Sequence, residues 1–107
     1  MAWNALGWLL VVLYTASMSV AVDLPVPFAA AVLVVVATSL GAAIPASPGS
    51  VGVYHALVVL VLAIWRIPAG QALAFALMTH GIAIGLHIGL GASSASALGI
   101  RNVLRRA

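Results

Sequence analysis

"IPASPGSVGVYH", residues 44–55, interrupts a chain that is otherwise almost wholly apolar. Pro45 and Pro48 cannot donate backbone hydrogen bonds, and Gly49 and Gly52 tolerate positive φ, which together disfavour a regular helix through residues 45–50. In a water-soluble protein such a stretch is a surface turn. In hydrocarbon each unsatisfied backbone group costs several kcal/mol, so there the segment must lie at the surface, line a protein-walled cavity, or form a broken helix. Composition alone favours a plain interhelix loop. If the helix is broken, a new one starting near Ser50 or Val51 points free N–H groups outward, an arrangement that attracts anions. Ser47 and Ser50 would then add hydroxyl donors or simply cap the helix.

The flanking sequence identifies the solvent. Of 107 residues, 65% are hydrophobic and 5% charged, whereas soluble domains carry about 25% charged residues. Mean hydropathy is +1.30. Residues 1–22, 28–44, 51–65 and 69–91 are apolar runs, and a membrane-spanning helix needs about 20 such residues. The expected fold is therefore all-α: a polytopic membrane protein of about four apolar helices, with a Pro/Gly break or re-entrant turn before the third. It forms one transmembrane domain over residues 1–107, in which 92–107 are a polar exit and a basic tail. The N-terminal run lacks a basic n-region, so it reads as the first membrane helix, over 3–22, rather than a cleaved signal.

Prolines mark the turns. "VDLPVP", residues 22–27, ends the first helix, because the residue before a proline is biased away from helix. Asp23, the chain's one acidic residue, reads as a solvated loop residue there. "WRIP", residues 65–68, closes the third run, and Pro68 suits the first turn of the fourth helix. Trp3 and Trp8 fit an interfacial aromatic belt. Gly81, Gly85 and Gly89 recur every fourth residue, a small-residue stripe for close helix packing within the chain or against a missing partner. No internal repeat is evident in the residues.

Charge sets the orientation. Arg101, Arg105 and Arg106 follow the last apolar run, with Arg66 the fourth basic residue. Lys and Arg accumulate on cytoplasmic flanks, so a multi-pass cell-membrane protein with a cytoplasmic C-terminal tail is expected. Three histidines, His55, His80 and His87, lie within apolar runs, where ionisable residues default to a functional role. His80 and His87 are two turns apart, about 10 Å along the axis, and no Cys or Glu completes a ligand set. Neither a metal nor another cofactor is expected. The alternatives are a satisfied interhelical hydrogen bond and a headgroup or proton contact. With no Glu, Lys or second carboxylate, no acid–base carboxylate pair can form; there is no phosphate or dinucleotide fingerprint. The chain is read as non-enzymatic, and nothing in it marks a nucleic-acid partner.

From residue 44 to residue 91 the sequence resembles the transmembrane region of the lysylphosphatidylglycerol synthase family, also described as flippase-like. That family carries a pattern close to Pro-x-Ser-Pro-Gly-Gly-x-Gly-x-x-Glu, an apolar helix, a Gly-Val-Pro-like turn and an Ala-rich helix. Pro45, Ser47, Pro48, Gly49 and Gly52 match the pattern, and "WRIPAGQALAFAL", residues 65–77, matches the turn and Ala-rich helix. Ser50 replaces the second glycine of the doublet. His55 stands at the usual glutamate and His80 where many members have arginine, so the two histidines are expected to face each other. The resemblance implies the C-terminal portion of a longer helical domain, lacking the soluble aminoacyl-transfer domain of some members. It implies lipid handling, namely translocation of phospholipid or another lipid between leaflets. A headgroup phosphate would then meet the helix start at Gly49–Gly52, aided by Ser47 and Ser50, with His55 and His80 in the cavity wall. Membrane lipids are the expected partners, with a second copy or further helices from another chain to complete the domain. The other reading is a non-transporting scaffold or inactive fragment whose polar residues only join helices. Small multidrug exporters share the length and span number but need a membrane-embedded glutamate, which is absent.

Overall fold

The computed structural model describes residues 1–45 and 48–107, Gly49 by its backbone alone. Among these residues the chain is all-helical, with α1 over Ala2–Ala21, α2 over Phe28–Ala42, α3 over Val53–Ala63 and α4 over Ala69–Arg106; a 3-10 turn covers Pro48–Ser50. Short connections make sequential neighbours antiparallel. Helix α3 packs extensively on both α2 and α4, α1 rests on α2, and α1 barely touches α4.

Small and β-branched residues form the contact surfaces. Ala30, Ala31, Val34 and Val35 of α2, Val58, Val61 and Leu62 of α3, and Ala72, Phe75 and Ala76 of α4 are all buried. Each set recurs at three- and four-residue spacing, which gathers it on one helix face. In lipid such contacts are favoured by close van der Waals packing rather than by escape from water. Gly41 shows how close: a Cβ there would collide with Leu57 Cδ1. Outside this core the surface is also apolar, with Leu9, Leu40, Leu60 and Ile88 all exposed. An apolar core inside an apolar surface is the pattern of a protein dissolved in hydrocarbon.

Two helices end in the same way. The N–H of Asp23 reaches Val20 O at 3.1 Å and that of Leu24 reaches Ser19 O at 2.9 Å; Arg66 reaches Ala63 O at 3.0 Å and Ile67 reaches Leu62 O at 3.2 Å. These paired bonds close a Schellman motif, which needs a left-handed residue after the helix. Asp23 (φ 55°) and Arg66 (φ 59°) fill that position. The next residue turns back to the bundle, Leu24 packing against the core and Ile67 entering it. The prolines then prevent the helix from resuming. Both turns lie at one end of the bundle, since Val22–Leu24 line a cleft with Gln71, Ala74 and Phe75 of α4. The Pro/Gly break lies toward the other end.

Helix lengths differ from the apolar runs. Helix α1 (20 residues) and α4 (38 residues) are long and apolar enough to cross a membrane. Helix α2 has 15 residues and α3 has 11, about 22 and 17 Å at 1.5 Å per residue. Both are trimmed at the break, where Gly52 at φ 89° caps α3. Pro68 stands just outside α4 as its N-cap rather than in its first turn. The polar exit from residue 92 onward continues α4 to Arg106, so the tail is helical and stands clear of the bundle.

Candidate functional site

Four helices place their polar residues at one level. Counting from the paired turns, Thr38 lies ten residues into α2, Thr79 ten into α4, Tyr54 nine before the end of α3 and Tyr14 seven before the end of α1. Ten helical residues span about 15 Å, half of a hydrocarbon core about 30 Å thick. Here α1 and α4 touch only sparsely, and residues of all four helices line a groove of about 330 Å³. Its walls include Val11, Val34 and Leu86, with Tyr14, Thr15, Thr38, Ser39, Tyr54, Thr79, His80 and His87 supplying polar atoms.

Thr79 is the hub. Only 1% exposed, its hydroxyl donates to Phe75 O at 2.9 Å. The Tyr54 hydroxyl is hydrogen-bonded to Thr79 Oγ1 at 3.0 Å, a contact in which either oxygen can donate. The Tyr14 hydroxyl donates to Thr79 O at 2.9 Å, from the opposite wall. Two tyrosines on α1 and α3 are thus joined through one threonine of α4. Such polar links stand in for the hydrophobic adhesion that lipid does not provide.

The structure brings His55 and His80 together, with ring centroids 5.0 Å apart. Tyr54 completes an aromatic cluster, 4.4 Å from the His80 ring and 5.7 Å from that of His55. His55 also closes the start of α3, because Gly52 N–H donates to its Nδ1 at 3.2 Å. With Nδ1 accepting, a ring proton is carried on Nε2. It also occupies one of the backbone donors that an anion at this helix start would use. Ser50 adopts φ 57°, a conformation open to glycine without strain, which gives a backbone reason for a glycine doublet at 49–50. Pro48, Gly49 and Ser50 form the 3-10 turn, and Pro45 precedes it in an exposed position. Ser47 lies outside the described residues.

The glycine stripe departs from expectation within the chain. Gly81, Gly85 and Gly89 are exposed, and a Cβ on any of them would meet nothing within 4 Å. The reason is direction: Gly81 lies two residues from buried Thr79, on the opposite face of α4, and Gly85 and Gly89 continue that outward face. The packing glycine is Gly41 instead. His87, beside the stripe, lines the groove and donates from Nδ1 to Ala83 O at 2.6 Å.

Tyr14, Thr38, Ser39, Tyr54 and Thr79 were not anticipated from the Pro/Gly motif. A signal for them does exist in the sequence: adjacent polar pairs, Tyr14–Thr15, Thr38–Ser39, Tyr54–His55 and Thr79–His80, interrupt all four apolar runs at similar distances from the proline turns. No group of three or more potential metal-ligating side chains occurs among the described residues.

Comparison with known proteins agrees with the helical pattern. The family described as lysylphosphatidylglycerol synthase TM region matches residues 1–91, which include all four helices through the groove-lining part of α4. No curated protein and no solved structure matches the chain. With most of its length matched, the chain belongs to the lysylphosphatidylglycerol synthase transmembrane-region family, a group of membrane proteins concerned with lipids.

Proposed function

We propose that the chain translocates lipid between leaflets, the headgroup travelling through the groove between α1 and α4 while the acyl chains remain in the bilayer. One observation carries this reading: a layer of polar side chains inside an open groove with otherwise apolar walls. Transporter sites recur near the bilayer midplane at helix breaks. The volume lies at the small end of small-molecule sites, which run from about 300 to 1,000 Å³, and suits a headgroup rather than a whole lipid. The headgroup phosphate is held at the mouth by the first-turn N–H groups of α3, beside the Pro/Gly break, with His55 and His80 forming the adjoining wall. The tail arginines support an orientation with the break and both termini on the cytoplasmic side of a multi-pass arrangement in the cell membrane. The chain works as a homo-oligomer or with further membrane helices, and its role is transport rather than catalysis.

Reconstitution tests this directly. Purified protein in liposomes carrying an acyl-labelled fluorescent phospholipid is treated with a membrane-impermeant quencher. Translocation exposes inner-leaflet probe, so quenching proceeds well beyond the half reached in protein-free liposomes. Quenching that stops at the protein-free level would instead identify a scaffold whose polar layer only joins helices.

A further inference from the structure

Three of the chain's four arginines occupy one side of the last two turns of α4. Ile100, Val103, Leu104 and Ala107 recur at i, i+3, i+4 and i+7, and every residue between them is polar: Arg101, Asn102, Arg105 and Arg106. Helix α4 continues through Arg106, with Ala107 as its cap, so this spacing gathers the aliphatic side chains on one face and the arginines on the other. The pattern starts abruptly. Leu98 falls on the opposite side from Ile100, and Ser96 and Ser93 occupy the aliphatic face one and two turns earlier.

No described residue of the bundle covers this face. Ile100, Val103 and Leu104 are 62%, 67% and 70% exposed. From Ala69 to Ile100 the helix rises about 46 Å, about 16 Å more than the thickness of a hydrocarbon core. An upright, unbent α4 therefore holds an aliphatic face in water, the medium it least favours. The segment before it offers a place to bend. Gly91 and Gly99 bracket three serines, and Gly and Ser are where helices kink. Ser93 Oγ donates to Gly89 O at 2.8 Å, a back-bond of the kind that bends helices.

We propose that α4 bends within residues 91–99 and lays residues 100–107 along an anionic membrane surface, the aliphatic face entering the interface and the arginines meeting lipid phosphates. An amphipathic helix with a basic polar face adopts that position. Arg101 and Arg106 flank the aliphatic face, and their long stems reach back to the headgroup level. The bilayer is the occupant because it is the apolar phase from which the segment has just emerged, and because its charge is complementary. No acidic side chain follows Asp23, so none on α4 neutralises the arginines. Each arginine favours docking on an anionic surface roughly fivefold, the equivalent of about 1 kcal/mol. The family match ends at residue 91, so this role belongs to a part of the chain outside the match, and it holds whether or not the groove moves lipid.

Two single-cysteine variants of the full chain test it, each labelled with a polarity-sensitive fluorophore: Val103→Cys on the aliphatic face and Asn102→Cys beside it on the polar face. They are placed in nanodiscs, both faces of which are open, made of phosphatidylcholine alone or mixed with phosphatidylglycerol or phosphatidylserine. In either anionic mixture the probe at 103 should emit at shorter wavelength and be quenched by spin labels on the acyl chains, while the probe at 102 remains in water. Raised salt should reverse the shift. At the salt concentration of half-docking, Arg105→Gln should lower the ratio of docked to undocked tail roughly fivefold. Equal exposure at 102 and 103 in the anionic discs overturns the proposal. Burial at 103 that is unchanged in phosphatidylcholine alone overturns it too, since the contact is then purely apolar. Burial that requires two chains per disc makes the partner a second copy, with the same consequence. A response to one anionic lipid and not the other means recognition of a headgroup rather than of a charged surface, and overturns it equally.

Discussion

Gly41 lies just before the break and Ser50 within it, and they make opposite predictions. At Gly41 the α2 backbone meets Leu57 of α3 so closely that a β-carbon has no room. Gly41→Ala should therefore destabilise the fold by about 1–3 kcal/mol through overpacking. Ser50 has a side chain in a left-handed conformation, which costs an L-residue roughly 1–2 kcal/mol. Ser50→Gly should stabilise by about 1 kcal/mol. Reversible unfolding in mixed micelles measures both; a neutral Gly41→Ala would show that α2 and α3 separate easily at the break. The conformation of Ser50 was not legible beforehand, because the pattern Pro-Gly-Ser-Val-Gly allows several turns. Helix disruption there was legible from the prolines alone. The pairing of His55 with His80 was suggested by the family resemblance, since residues 25 apart on two helices carry no local signal of contact.

Among the elements, the turns were read correctly for an incomplete reason. Prolines at 25, 27 and 68 announced that helices end there. They did not announce that Asp23 and Arg66 would be the left-handed residues closing two Schellman motifs, since glycine is the usual occupant. The recurrent unit is a charged residue, an aliphatic residue and a proline: Asp23-Leu24-Pro25 and Arg66-Ile67-Pro68. Helix α4 was underestimated because hydropathy falls after residue 91 while helix propensity does not: the Ala- and Arg-containing segment keeps good helix formers. Arg105 and Arg106 in its last turn also suit the negative end of the helix dipole. The glycine stripe yields the prediction at this scale. In an isolated chain Gly85→Ala meets no atom and should stabilise α4 by up to about 1 kcal/mol through propensity. Loss of a cross-linkable dimer in the same variant, measured in membranes, would show that the stripe serves a second copy; an unchanged cross-linking pattern would exclude it from that contact.

For the molecule as a whole, the absence of cysteine is convenient. A single introduced thiol is the chain's only one, so its reactivity toward an impermeant reagent reports its side of the membrane. Ser96→Cys should label from the cytoplasm and Asp23→Cys from outside. Labelling of both from one face would mean that α4 does not cross between them. The all-helical membrane fold was legible throughout the sequence, because hydropathy and proline spacing suffice for it. The groove was not, because it depends on how sparsely α1 and α4 pack against each other, which is a property of the assembled bundle rather than of either helix's sequence.

Helices α2 and α3, about 22 and 17 Å long, remain to be set against a hydrocarbon layer about 30 Å thick. Such hydrophobic mismatch deforms the bilayer, at fractions of a kcal/mol per Å, and the lipids beside the short helices draw inward to meet them. By that principle the leaflet next to the break would thin locally, which brings the polar layer of the groove nearer to the headgroups. If the chain translocates lipid as proposed, a headgroup beginning its passage there would have less hydrocarbon to cross than beside the long helices. On this view the two short helices act on the lipid from a distance, as a wedge that thins the barrier before any side chain touches the cargo.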